Sequence, residues 1–345
     1  MERIPFGVLP DGSLAELCEI TSSCARVMIS TLGATVVRLL LPDRGGQWED
    51  VVLGFDTPEE YLTKPGNLGA TIGRYAGRIA GGQFHLHGEL IQLRQNRGRH
   101  TIHGGPVGFH QKLWTVLEHR EDRVVLELIS PDGDQGFPGA LAVQAEFRLE
   151  KDSLTLETRA VSDQDTVCSL TNHTYWNLAG HESGTIDEHV LTVWSDTCLE
   201  TDEETIPTGA IRSLEGTNLD LRHPTRLKSV EADHTFLLGE NSAARLVGRL
   251  EDPESGRWME LFTDLPGVQI YTGDHLRENL AGKDGAIYGP RSGVCMEAQF
   301  YPDSPNHAHF PSTLLKEGAV AKHWMFWHFG VCQNGFKTEE RITYE

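Results

Sequence analysis

Along most of this chain apolar and polar residues alternate one by one, and this period of two constrains the fold more than any other feature. In "LAVQAEFRL", Leu141, Val143, Ala145, Phe147 and Leu149 fall on one side of an extended chain. That pattern buries one face of a strand and does not suit a helix. After Glu150-Lys151-Asp152 the alternation resumes in "SLTLETRAV", so the two segments are predicted to form a hairpin. "GGQFHLHGELIQL" repeats the arrangement around His87-Gly88, and "ARLVGRL" and "RWMELFT" flank the turn-prone "EDPESG". "VQIYTG" and "MFWHFGV" read as further strands. Helix signals are few and short. In "DTPEEYL", Thr57 caps, Pro58 takes the first helical position and Glu60 closes a capping box. No Ser/Gly linker or low-complexity tract divides the 345 residues. The expectation is one domain over residues 1–345, all-β: a large antiparallel β-sandwich of two packed sheets with few short helices.

Charge and composition exclude several classes of partner. A formal net charge of −20 argues against nucleic acid and against an anionic membrane surface. No run approaches the roughly 18 apolar residues of a membrane span, and "MERIPFGVLPDG" lacks the apolar stretch of a secretory signal. The six cysteines are scattered without a C-x-x-C pair. They read as free thiols in a reducing compartment, so a cytoplasmic location is expected. The sequence carries no signature of an oligomeric state.

Five segments interrupt the alternation with clustered polar side chains. They are "GRYAGRIAGG" (73–82), "HTIHGGPVGF" (100–109), "LTNHTYWNLAG" (170–180), "EADHTFLL" (231–238) and "GVCMEAQFYPD" (293–303). A buried polar side chain costs free energy unless it finds a partner, in the protein or in a ligand. Taken singly, most have a plain structural reading. Arg74 and Arg78 can be surface charges, His103 can open a turn, and Asp233-His234 can be a local pair. Glu297 resists such a reading, because it follows Val294, Cys295 and Met296 in an apolar run and glutamate is seldom buried alone. As a set, Arg, two His, Asp and Glu with Trp and Tyr nearby suit a neutral polyhydroxylated ligand. Carboxylates accept from its hydroxyls, and Arg and His donate to its oxygens.

The same segments, in the same order, resemble the aldose 1-epimerase (galactose mutarotase) family over nearly the whole chain. "GRYAGRI" is similar to the family's G-R-x-x-N-R-I, "IHGG" to L-H-G-G, and "LTNHTYWNLAG" to L-T-N-H-[ST]-Y-[FW]-N-L. "ADHTF" resembles D-H-x-F, "VQIYTG" resembles Q-x-Y-T-G, and "MEAQFYPDS" resembles E-x-Q-x-x-P-D-[AS]. "SPDGDQGFPG" is similar to the family's S-P-D-G-E-E-G-[YF]-P-G turn. The resemblance implies a galactose mutarotase-like supersandwich that opens and recloses the ring of a free aldose, a small-molecule monosaccharide, without cofactor or metal. It implies His173 as the acid at the ring oxygen and Glu297 as the base at the C1 hydroxyl, on opposite sides of the anomeric centre. Arg78, His103, Tyr175, Asp233 and Gln269 match substrate-holding positions. Asn172, Thr174 and Asn177 are expected to brace the backbone around them.

Three departures from the pattern bear on specificity. Gly77 stands where the family usually has Asn, His110 stands at an acidic position after H-G-G, and Arg99 and His100 replace an Asn shortly before it. A pentose or phosphorylated sugar therefore stays open beside glucose and galactose as substrate. A non-catalytic sugar-binding or regulatory protein of the same fold would not need both His173 and Glu297. A metal-dependent enzyme is a further alternative, since His85-x-His87 and His307-x-His309 each place two imidazoles on one strand face.

Overall fold

The alternating segments pair as their spacing predicts. Leu141–Glu150 and Ser153–Ser162 form an antiparallel hairpin in which Glu150 meets Ser153. Their alternate residues Leu141, Val143, Ala145, Phe147 and Leu149 are buried. Gln83–Leu86 pairs with Glu89–Gln92 around His87-Gly88, and Arg245–Glu251 pairs with Arg257–Thr263. The computed structural model describes residues 1–239 and 244–332. Of the expected span 1–345, residues 240–243 and 333–345 lie outside the described residues.

The described residues form an all-β antiparallel architecture. A nine-stranded sheet runs from Thr115–His119 at one edge through Val320–Val331 to Thr225–Arg226 at the other. A six-stranded sheet follows the order Tyr175–Trp176, Val294–Gln299, Gly267–Tyr271, Asp233–Leu237, Thr197–Thr201, Pro207–Ser213. The main core lies between them. Leu141, Phe147, Leu261 and Trp327 from the first sheet meet Phe236, Val268, Ile270, Val294, Met296 and Ala298 from the second. Apolar burial of this kind contributes on the order of 25 cal/mol per Å².

The count of two sheets needs correction. Residues Ile4 to Asp50 form a separate five-stranded meander. Its strands are joined by short turns and so pair with each other first, while Ile20, Val27, Ile29 and Leu39 still join the main core. The α-helix Pro58–Thr63 starts as its sequence predicts, with Thr57 capping, Pro58 at the first position and Glu60 closing the capping box. The other described helical pieces are short 3₁₀ turns, and no described helix is long and apolar enough to cross a membrane.

Candidate active site

Alternation explains how a glutamate enters an apolar strand. In Val294–Gln299, Val294, Met296 and Ala298 point into the core, which leaves Cys295, Glu297 and Gln299 on the other face. In the neighbouring strand Val268 and Ile270 join the core, so Gln269 faces outward opposite Glu297, and Tyr271 opposite Cys295. One strand further, Asp233 stands opposite Tyr271 and Thr235 opposite Gln269. On the remaining side Tyr175 pairs with Cys295. Four short strands thus gather Tyr175, Glu297, Gln269 and Asp233 on the sheet face turned away from the core.

His173 arrives by a different route. Thr171–Asn172 pairs with Thr71–Ile72, and the strand then breaks at His173 and Thr174 before resuming at Tyr175. The backbone of His173 is held at both ends: its N–H donates to Ala70 O and its carbonyl accepts from Gly69 N–H, each at 2.9 Å. Asn172 Nδ2 donates to Gly69 O, and Thr174 Oγ1 donates to Asn172 Oδ1. Asn177 Nδ2 bonds Gly184 O and Ser292 O. These amides and hydroxyls brace the backbone, as expected. Arg78–Ile79 pairs with Thr101–Ile102, which brings His103 next to Gly77. The Gly77 N–H donates to His103 Nδ1 at 3.3 Å, so the neutral ring carries its proton on Nε2.

Arg78, His103, His173, Tyr175, Asp233, Gln269 and Glu297 all line a single cavity of about 590 Å³. Nε2 of His173 lies 3.6 Å from Oε1 of Glu297. The His173 ring stacks on Tyr175 at 5.1 Å and meets His103 edge-on at 5.2 Å. Gln269 Nε2 donates to Asp233 Oδ1 at 2.6 Å, and Thr235 Oγ1 donates to Gln269 Oε1 at 2.5 Å. Arg78 reaches Asp233 at 3.9 Å, yet its buried Nε has no partner, and neither does Oε2 of Glu297. Buried groups left unmatched in this way are uncommon and call for an explanation.

Burial sets the protonation of this site. It pushes the Glu297 carboxyl well above the ordinary carboxylate range; the Asp233 charge adds to the shift and Arg78 opposes it. Burial draws the His173 imidazole down to about 4 and holds His103 well below its usual value, helped by the other imidazoles and Arg78. Both shifts have one main cause, since burial disfavours the imidazolium and the carboxylate alike. A single proton shared by the two groups would leave both neutral on the carboxyl and make an ion pair on the imidazole. Among the described residues, His173, Cys295 and Glu297 form the one set of three imidazole, thiol and carboxylate donors within metal-binding reach, their atoms lying within 4.8 Å of one another. Neither His85/His87 nor His307/His309 gathers such a set.

A family model described as aldose 1-epimerase matches residues 16–326. The chain belongs to the aldose 1-epimerase family. It is 42% identical to galactose mutarotase of Bos taurus over 339 residues, spanning 95% of this chain and 98% of that protein. It is 34% identical to aldose 1-epimerase of Haemophilus influenzae, over 95% of this chain and 99% of the relative. Among solved structures, an aldose epimerase homologue from C. elegans superposes with a TM-score of 0.87 at 30% identity, over 92% of this chain and 99% of that one. A galactose 1-epimerase from Lactobacillus acidophilus gives 0.81 at 27% identity, over 96% and 98%.

Gly77 lines the same cavity. The glycine has φ +75°, and a Cβ there would come within 2.9 Å of Pro302 and 3.5 Å of the Gln299 amide. His110 is buried against the cavity wall and lowered to about 4 by that burial. One reading of the sequence fails: Arg74 is no surface charge. It is 2% exposed and donates to the carbonyls of Ser130, Pro131, Pro138 and Gly139. It therefore fastens the "SPDGDQGFPG" turn, because only a forked cation meets so many carbonyls at once. Sequence reasoning also passed over Cys295, Gln299 and Tyr271. All three lie at period-two positions from Glu297 and Gln269, a signal that was available.

Proposed function

We propose that the chain interconverts the α and β anomers of a free aldose of the glucose or galactose type, with His173 as general acid and Glu297 as general base. The names of the relatives, galactose mutarotase and aldose 1-epimerase, support the reaction. The approach of His173 Nε2 to Glu297 Oε1 at 3.6 Å in a sugar-sized cavity carries the assignment of roles. At that distance the two groups cannot flank a carbon atom. They stand side by side, unlike the opposed placement expected from the sequence. This suits the chemistry, because the ring oxygen and the anomeric hydroxyl hang from the same carbon.

The reaction balances within the pair. Imidazolium gives its proton to O5 while the carboxylate takes the proton of the C1 hydroxyl, and the C1–O5 bond breaks to an open-chain aldehyde. The pair has moved one proton from His173 to Glu297 through the sugar. Rotation about C1–C2 presents the other carbonyl face. Glu297 then returns its proton to O1, His173 takes the one on the C5 hydroxyl, and the ring closes as the other anomer. Burial moves the balance between the two placements of the proton toward the neutral pair, since it disfavours the ion pair that water would stabilise. An acid and a base each contribute ~10²–10⁴-fold, enough for a reaction that water already supports.

Arg78, His103, Tyr175, Asp233 and Gln269 bind the sugar in this reading. The unmatched Nε of Arg78 and the Nε2–H of His103 donate to hydroxyl oxygens, Asp233 accepts, and Tyr175 offers a ring face. We take residues 1–345 as one domain, since the main core among the described residues draws side chains from Cys18 through Phe329. A reducing cytoplasm suits the six unpaired cysteines. Polarimetry tests the function: freshly dissolved α-D-glucose or α-D-galactose must drift to equilibrium faster with the protein than without. A drift unchanged by micromolar protein for both sugars would remove the assignment.

A further inference from the structure

We propose that Gln299 is a further sugar-binding residue that sets specificity: its side-chain amide accepts from one hydroxyl of the aldose, on the wall that Gly77 leaves uncovered. The inference rests on the reading of this cavity as an aldose site. Gln299 ends the strand Val294–Gln299, two residues after Glu297, so both side chains leave the same face of the sheet. It lines the cavity together with Gly77, Arg78, His103 and Pro302. The residue is 1% exposed, and its buried Oε1 has no hydrogen-bond partner. Its Nε2 lies 3.5 Å from the place a Cβ on Gly77 would take, which sets the amide beside the glycine.

The register explains why this acceptor is free. Across the ladder Glu297 meets Gln269, but Gln299 meets Gly267, which has no side chain to offer it. Gly77 brings none either. The contrast with Gln269 is direct. That amide donates to Asp233 and accepts from Thr235, so both of its ends are committed within the protein. Among the described residues nothing engages Gln299 Oε1. Arg78 Nε and Glu297 Oε2 are unmatched in the same cavity, but both residues already act in the proposed reaction. An amide oxygen accepts and carries no charge, so the group it selects is a neutral donor such as a sugar hydroxyl. A buried acceptor left unmatched costs free energy. A sugar with a hydroxyl at that point removes the cost, and a deoxy sugar leaves it in place. Sites built this way reject an analogue lacking the hydroxyl more strongly than an apolar pocket sorts ligands by size.

The test is a cycle between side chain and substrate. Wild type, Gln299→Met and Gln299→Leu are each given D-glucose and its monodeoxy analogues, and turnover is followed by polarimetry. In the wild type one analogue should show a KM about 3–10-fold above that of glucose, the worth of one neutral hydrogen bond. In the variants KM for glucose should rise by the same factor, with kcat within about threefold, because uniform binding is lost. The singled-out analogue should lose nothing further, while the other analogues follow glucose. Equal weakening of glucose and every analogue would mark a merely structural role and overturn the proposal, as would an unchanged KM for glucose. Both variants replace an unmatched polar group by an apolar one, so Tm should not fall. A lower Tm in both would mean that the fold itself engages the amide, and the proposal would again be overturned. Calorimetry of the same sugars reads the contact without turnover. If no aldose were turned over, the proposed reaction would fall, while glucose binding weakened in Gln299→Met would still report the contact, so the two failures are distinguishable.

Discussion

Gln269 faces Glu297 across an antiparallel ladder, and its amide is held at both ends, donating to Asp233 and accepting from Thr235. The clamp fixes the Asp233 carboxylate where its charge is felt by Glu297 and within reach of Arg78. In the proposed function Asp233 would therefore act on the site twice: it would accept from ligand hydroxyls, and its charge helps to raise Glu297.

Replacing that charge without changing shape separates the two effects. Asp233→Asn should raise KM for glucose about 10–100-fold, the worth of a hydrogen bond to a charged group. It should also move the limb of the pH profile governed by Glu297 to lower pH, because a negative neighbour has been removed. An unchanged KM and an unchanged limb would take Asp233 out of the site.

His173→Gln and Glu297→Gln should each lower kcat by ~10²–10⁴-fold while sugar binding by calorimetry stays within about tenfold. Glutamine keeps hydrogen-bonding capacity at both positions and loses only the mobile proton. Turnover near wild type in either variant would dismiss that residue from the mechanism.

Much of this was legible in the chain. The period of two in Leu141–Leu149 predicted a hairpin and its buried face, and Thr57-Pro58-x-Glu60 predicted the helix start to the residue. Glu297 stood out because its strand is otherwise apolar. What stayed hidden depends on partners distant in sequence. Whether Arg74 is solvated or enclosed is decided by the carbonyls of residues 130–139 folding over it, and no local pattern announces that. The five-stranded meander was missed because alternation shows which face is buried but not which strands share a sheet. The side-by-side stance of His173 and Glu297 also needed coordinates, since the break in the strand at His173 sets the direction of the imidazole.

Acid should weaken the fold. His103, His110 and His173 are held neutral by burial, the last two down to about 4, whereas an unfolded histidine titrates near ~6.5. Between those values the unfolded chain binds more protons, so this stability is present above about pH 6.5 and is lost as pH falls toward 4. Glu297 works in the other direction: its raised folded pKa gives stability that is full below ~4.5 and fades as pH rises through the folded value. Three histidines outweigh one carboxyl, so Tm should fall between pH 7 and pH 5, and less steeply in His110→Gln. A flat Tm over that range would contradict the buried, neutral histidines. In kinetics, kcat/KM should decline below about pH 4, where the His173–Glu297 pair takes up a second proton.

Gly77 offers the sharpest test of specificity. Its φ of +75° suits glycine, is tolerated by asparagine and strains alanine. Any Cβ there presses on Pro302, and an asparagine amide would reach toward Gln299. Gly77→Ala should therefore cost about 1 kcal/mol or more of stability with no gain in binding. Gly77→Asn should cost less and change the ratio of KM values for glucose and galactose, because it adds a donor and an acceptor to the cavity wall. With His173 and Glu297 untouched, kcat should stay within about threefold, a barrier change of less than ~0.7 kcal/mol. The two stabilities are compared by thermal melts and the two sugars by polarimetry. Equal costs for Ala and Asn would show that contact with Pro302 dominates over backbone strain, and an unchanged KM ratio would show that the space beside Gly77 does not touch the sugar.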